Sequence, residues 1–151
     1  MLPVSIDWLL RSDYKWIRIF ERDLGDDAWT AEDFNVAFKS DLVGLCARIK
    51  TYPVGYIIYT IEPSRLTITR IHVDNTYKRE KIGTQLIKRL IDKAATFPRP
   101  RYIRFDVPED RLDIHLFLRS LNFRATVVLP RSQKYRFVYP IQSPALVHTH
   151  E

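Results

Sequence analysis

Residues 77–90 read Tyr77-Lys78-Arg79-Glu80-Lys81-Ile82-Gly83-Thr84-Gln85-Leu86-Ile87-Lys88-Arg89-Leu90, a basic, glycine-bearing loop running straight into an amphipathic helix. An apolar strand, Leu66 to Val73, lies just ahead of it. The first N–H groups of a helix have no partner within it, and the aligned peptide dipoles favour negative charge at that end. A strand, a basic loop and a helix start in this order make a docking place for a phosphorylated ligand. The helix keeps Ile82, Leu86, Ile87, Leu90, Ile91 and Ala94 at helical spacing, and Pro98 and Pro100 stop it.

On the N-terminal side, Val4 to Leu9 reads as a short strand. Ser12 is placed to cap a helix whose apolar set, Trp16, Ile17, Ile19, Phe20 and Leu24, ends at Gly25. Thr30-Ala31-Glu32-Asp33 is close to a capping box, with Trp29 and Phe34 as its hydrophobic staple, and opens a helix to about Phe38. Strands follow at Leu42 to Ile49, Val54 to Ile61 and Leu66 to Val73, separated by Thr51-Tyr52-Pro53 and Glu62-Pro63-Ser64. Connections this short imply an antiparallel meander. On the C-terminal side, a strand at Tyr102 to Val107 precedes a helix through Leu112, Phe117 and Leu121, with Asp110 as its cap and Asn122 in the left-handed closing position. Ala125 to Leu129 and Lys134 to Tyr139 form a hairpin around Pro130 to Gln133. The order β-α-α-β-β-β-α-β-α-β-β predicts an α+β fold, a mixed, mostly antiparallel sheet flanked by helices. One domain is expected over residues 1–140 and a C-terminal tail over 141–151.

The 151 residues suffice for one core without staples. With 46% apolar and 28% charged residues, the composition is that of a globular protein. Neither a membrane-spanning run nor a signal peptide is legible, so a cytoplasmic location and no membrane partner are expected. The single cysteine, Cys46, excludes an intrachain disulfide and a cysteine-based zinc cluster. His72, His115, His148 and His150 carry no clear metal-ligand spacing, so no metal is expected. The net charge of +6 favours acidic partners without choosing among them. The basic and aromatic residues of Lys134 to Tyr139 fit an RNA surface or a hairpin alternating inside and outside; no direct nucleic-acid binding is expected.

In order and spacing the 77–90 segment resembles the pyrophosphate loop of the GNAT superfamily, the acyl-CoA-dependent N-acyltransferases. The usual Arg/Gln-x-x-Gly-x-Gly/Ala falls on Lys78-Arg79-Glu80-Lys81-Ile82-Gly83, with Lys78 in place of Arg or Gln and Lys81 in place of the first glycine. The element order is similar to the GNAT fold over residues 4–140. The Trp29 to Phe34 segment, and Arg104-Phe105-Asp106-Val107 followed by Leu116 to Phe123, look most like the ribosomal-protein-alanine N-acetyltransferase branch. The resemblance places Asp106 on that branch's glutamate, Leu118 on its tyrosine, Asn122-Phe123 on its Gly-Phe and Arg111 on its helix-opening asparagine.

The resemblance implies an N-acetyltransferase moving an acetyl group from acetyl-CoA to a primary amine, foremost a protein N-terminal α-amine. The alternative is a catalytically degenerate CoA-binding regulatory module. The acceptor it implies is a protein or peptide, such as a ribosomal protein. Cofactor-binding positions are Lys78, Arg79, Lys81, Ile82, Gly83 and Thr84 for the diphosphate, with Ile71 and Val73 offering strand backbone to the pantetheine arm. Lys81 needs a backbone compatible with a Cβ, or costs about 1 kcal/mol if its φ is positive. Asp106 is the candidate for proton chemistry, against a structural ion pair with Arg104 or Arg70. Leu118 cannot donate a proton, which leaves Tyr135, Tyr139, Ser120 or solvent. Cys46 reads as a buried strand residue, and His72 as a satisfied core or surface histidine rather than a base.

Overall fold

The computed structural model describes residues 3–99 and 101–141. Pro100, His148, His150 and the expected tail from residue 142 onward lie outside the described residues. The elements follow in the order expected: β1 (Ser5–Trp8), α1 (Tyr14–Glu21), α2 (Ala31–Lys39), β2 (Leu42–Ile49), β3 (Tyr52–Ile61), β4 (Arg65–Val73), α3 (Ile82–Ala95), β5 (Tyr102–Pro108), α4 (Leu112–Ser120), β6 (Arg124–Leu129) and β7 (Lys134–Pro140). The strands form a seven-stranded sheet in the order β1-β2-β3-β4-β5-β7-β6. The pairs β1–β2, β2–β3, β5–β7 and β6–β7 are antiparallel, while β4 and β5 run parallel, paired from Arg65↔Tyr102 to Ile68↔Phe105. No described helix is long and apolar enough to cross a membrane.

The described residues divide into two compact units. One is built from residues up to Thr60 with Arg70–Leu90, the other from Ile61–Thr69 with residues from Ile91 on. In the first, Leu9, Ile17, Phe20, Phe34, Cys46, Tyr56 and Ile58 form the core beneath α1 and α2. The capping box at α2 is complete: Thr30 Oγ1 accepts the Asp33 N–H at 3.2 Å, and Asp33 Oδ2 accepts the Thr30 N–H at 2.8 Å. Trp29 meets Phe34 edge-on at 5.2 Å between ring centroids, which is the staple. In the second, β5 alternates with the sheet pleat, burying Ile103, Phe105 and Val107 and leaving Arg104 and Asp106 half-buried on the other face. Asn122 closes α4 at φ 70°.

Three local expectations are corrected. Ser12 does not cap α1; it lies in a 3-10 turn, Arg11–Asp13, and the Asp13 carboxylate accepts the Leu10 N–H at 2.8 Å and pairs with Arg48 at 2.5 Å. The turn between β2 and β3 is Lys50-Thr51, because Lys50 takes φ 57° and lets Tyr52 pair with Ile49 at once. Asp110 does not cap α4: the Arg111 N–H bonds to Pro108 O at 3.1 Å and Arg111 takes the cap position, where its side chain pairs with Asp113 at 3.2 Å rather than capping the helix.

Gly44 of β2 packs closely against Leu9. Its carbonyl accepts the Leu9 N–H at 2.9 Å, and a Cβ added there would stand 2.8 Å from Leu9 Cβ. Leu9 is nearly fully buried, so it cannot swing away into solvent. Gly44→Ala is therefore expected to cost about 1–3 kcal/mol of stability in urea unfolding; an unchanged midpoint would contradict this packing.

Candidate functional site

The basic loop between β4 and α3 is built by turns. At the end of β4 the Asp74 N–H bonds to Val54 O at 2.8 Å. Its side chain accepts the Thr76 N–H at 3.1 Å, and its carbonyl accepts the Tyr77 N–H at 2.9 Å. A 3-10 turn, Asn75–Glu80, follows, and then Lys81 takes a left-handed conformation, φ 57° and ψ 32°. This is the conformation a glycine adopts without strain, and a lysine holds it here at a cost of about 1–2 kcal/mol. α3 starts at the next residue, and its first backbone bond runs from the Gln85 N–H to Lys81 O at 3.1 Å. The N–H groups of Ile82, Gly83 and Thr84 thus stand ahead of the helical ladder.

Ile82 is fully buried, which fixes where α3 starts. Gly55 of β3 makes room for it: a Cβ there would lie 3.2 Å from both Ile82 Cγ2 and Val73 Cγ2. Lys78, Arg79 and Lys81 are exposed and reach water. Ile71 and Val73 are half-buried at the end of β4, beyond its last pair with β5 at Ile68. The expected cofactor residues therefore lie in one unit, and Asp106 in the other.

Alternating with Ile71 and Val73, His72 is buried, its Nε2 3.3 Å from Phe20 O and its ring against Phe20 and Tyr56. Burial lowers its pKa from the ordinary histidine value, so the neutral imidazole donates to the carbonyl. A second buried group escaped the sequence reading. Glu21, at the end of α1, is 1% exposed. It accepts the Trp29 N–H at 3.0 Å, pairs with Arg70 at 2.8 Å and bonds the Tyr56 hydroxyl. Arg70 also donates to Tyr56 Oη at 2.7 Å and Asp27 O at 2.7 Å, and its guanidinium lies 4.9 Å from the Trp29 ring centre. The signal was present: Glu21 follows Ile17 by one helical turn, on the face the helix buries.

In the second unit Asp106 is held by two arginines. Arg104 donates at 2.7 and 3.2 Å, and Arg136, directly opposite on β7, donates at 3.0 and 3.4 Å. Burial pulls the Asp106 pKa upward, but hydrogen bonds and charge from both guanidinium groups outweigh it and leave it below the ordinary value. Such a carboxylate is a stable anion and a weak proton acceptor at neutral pH. Arg70, the other expected partner, belongs to the Glu21 network instead. Leu118 is fully buried, and the Ser120 hydroxyl donates to Phe117 O at 2.6 Å. Tyr135 packs its ring edge-on against His115 at 5.2 Å between centroids. The Cys46 thiol is pushed up to about 12 by burial, which makes it inert as a nucleophile. No group of histidine, cysteine and carboxylate side chains suited to a metal occurs among the described residues.

Residues 5–123 match the acetyltransferase (GNAT) family, so the chain belongs to that family. Its fold is similar to that of the ribosomal-protein-S18-alanine N-acetyltransferase from Escherichia coli, with a TM-score of 0.77 and 16% identity over 93% of this chain and 95% of that one. It is also similar to Arabidopsis thaliana NAA60 in complex with acetyl-CoA, at 0.75 and 17% over 92% of this chain and 100% of that one. Arabidopsis thaliana Naa50 in complex with the bisubstrate analogue CoA-Ac-MVNAL gives 0.71 and 17% over 91% and 99%. At these identities the likeness is one of fold. No curated protein matches the chain in sequence. An acetyltransferase using acetyl-CoA as cosubstrate is consistent with the family and with these neighbours.

Two outcomes follow from the geometry. Lys81→Gly is expected to raise stability by about 0.5–1 kcal/mol in urea unfolding, the relief of strain exceeding the glycine's extra freedom in the unfolded chain; a loss would contradict the left-handed turn. Because the folded pKa of Asp106 is depressed, its contribution is present above the unfolded carboxylate value and is lost as pH falls through the folded one. Asp106→Asn should therefore destabilise the protein at pH 7 by about 1–3 kcal/mol, with the gap to wild type narrowing below about pH 4. A gap that stays constant down to acid would show that the ion pairs contribute nothing.

Proposed function

We propose that the protein transfers an acetyl group from acetyl-CoA to a primary amine, and that this amine is the N-terminal α-amine of a protein. The observation that carries the reading is the left-handed turn at Lys81, which starts α3 inside the span that matches the GNAT family. In this reading the N–H groups of Ile82, Gly83 and Thr84, with that of Arg79, hold the diphosphate. Gly83 has no side chain to stand in the way, and Lys78, Arg79 and Lys81 add charge attraction screened by solvent. The backbone at Ile71 and Val73 pairs with the amides of the pantetheine arm as an added strand would. Bound acetyl-CoA supplies the activated thioester.

The choice of acceptor rests on proton energetics. The attacking amine must be neutral, and an α-amine has a pKa of about 7.7–8.0 against about 10.4 for lysine, so deprotonating lysine at pH 7 costs roughly 3 kcal/mol more. An aspartate kept ionised by Arg104 and Arg136 is a poor base for the harder task. We propose that Asp106 works as a fixed negative charge that orients the amine or its water while the proton leaves to solvent. Ribosomal-protein N-termini belong to the acceptor class this reading admits. A CoA-binding module without turnover is the second reading, favoured by Leu118, an apolar buried residue on the family's tyrosine position.

A competition assay decides between them. Two peptides of equal charge are offered with acetyl-CoA, one with a free N-terminus and no lysine, the other N-terminally blocked with a single lysine. Faster acetylation of the first is expected. Preference for the blocked peptide would reject the α-amine reading, and acetyl-CoA binding without acetylation of either would establish the module instead.

A further inference from the structure

The C-terminal hairpin carries chemistry that acetyl transfer does not use. From Ile114 to Ile141 the chain has no aspartate or glutamate, while Arg119, Arg124, Arg131, Lys134 and Arg136 are all cationic. Arg136 is committed to Asp106, but Arg119, Arg124 and Arg131 are exposed. β6 is the last strand of the sheet order, and among the described residues it pairs on one side only, with β7. Its side chains are almost all exposed, Val127 at 43% and Val128 at 55%. Edge strands are ordinarily blunted by charge or proline along their length, because a bare row of N–H and C=O groups invites another strand. Between Arg124 and Pro130 the run Ala-Thr-Val-Val-Leu carries neither.

The start of this edge borders a groove of about 850 Å³. Ile91, Phe123 and Tyr139 line it, and among the described residues its only ionisable groups besides that tyrosine are Arg119 and Arg124. Thr126 is the extra residue of a bulge, which separates Arg124 and Ala125 at the groove from the straight run Val127–Leu129. The surface thus joins an open backbone edge, an apolar seat and two exposed guanidinium groups.

Charge selects among the partners. A second copy would bring another acid-free hairpin against this one, and like charges would repel. Nucleic acid would satisfy the arginines but not an alternating row of backbone donors and acceptors. An extended acidic peptide satisfies both. We propose that the β6 edge and its groove dock an extended acidic segment of a partner protein, which adds a strand to β6, seats an apolar side chain on Phe123 and Tyr139, and directs its carboxylates to Arg119 and Arg124.

The probe is a short fluorescent peptide alternating glutamate and valine, blocked at its N-terminus and free of lysine, so that it offers no amine for acetylation. Its anisotropy is followed on titration with the full chain. Saturable binding is expected, weakened by about tenfold or more in the double variant Arg119→Ser, Arg124→Ser. Both side chains are exposed, so that variant should fold and acetylate a short acceptor peptide as wild type does. The same peptide with alternate backbone N-methyl groups keeps its charge but cannot complete a ladder, and is expected not to bind. Absence of binding, equal binding by the double variant, or equal binding of the N-methylated probe would overturn the proposal. Displacement of the probe by single-stranded RNA of equal charge would overturn it in favour of a nucleic-acid surface.

Discussion

A helix can offer its first N–H groups to a ligand only if the chain turns sharply into it, and here that turn rests on one residue in a costly conformation. Lys81 at φ 57° breaks the preceding 3-10 turn, and α3 begins at the next residue. The cost of about 1–2 kcal/mol is offset within the same few residues, because Ile82 is driven fully into the core. Gly55 on β3 permits this: any side chain there would push against Ile82 and Val73 together. The end of β4 and the start of α3 are thereby fixed relative to each other by packing, whatever the loop side chains do. That division explains how Lys78, Arg79 and Lys81 can be exposed and chemically tolerant while the backbone they sit on is not.

The ionic clusters around Glu21 and Asp106 have different physical characters. Around Glu21, burial is nearly complete, and every partner is supplied by the fold: the Trp29 N–H, the Tyr56 hydroxyl and Arg70. A buried pair of this kind gains little net stability over an apolar replacement, but removing one member is costly because the other is left uncompensated. Its effect is to tie the connection between α1 and α2 to β4 in one arrangement, through Arg70 and the Asp27 carbonyl. Asp106 is more open, and its arginines face it from its own strand and from β7. A carboxylate gripped in this way is kept charged, which suits orientation and electrostatic attraction better than proton abstraction.

Much of the fold was legible because its signals are local. The capping box at Thr30, the alternation along Tyr102 to Val107 and the left-handed Asn122 all occur where residue chemistry places them. Ser12 and Asp110 were misread because a cap is decided by competition. Asp13 is drawn to Arg48, thirty-five positions away in the chain, and the turn after Pro108 moves the start of α4 beyond Asp110. Of the candidate site, the loop and helix start were legible in the sequence, but the electrostatics around Asp106 were not. Which of Arg70, Arg104 and Arg136 would meet Asp106 depends on strand register, since Arg136 faces Asp106 only through the pairing of β5 with β7. Glu21 was passed over because one acidic residue at a helix end reads as solvated until its buried position is known.

In the proposed binding mode the turn at Lys81 presents the Ile82, Gly83 and Thr84 amides to the diphosphate, while Ile71 and Val73 receive the pantetheine arm. Amide NMR shifts measured on titration with CoA, and separately with pantetheine, test it most directly. CoA should move the amides of all five residues, and pantetheine only those at Ile71 and Val73. If CoA binds while the Ile82, Gly83 and Thr84 amides stay unmoved, the account is contradicted.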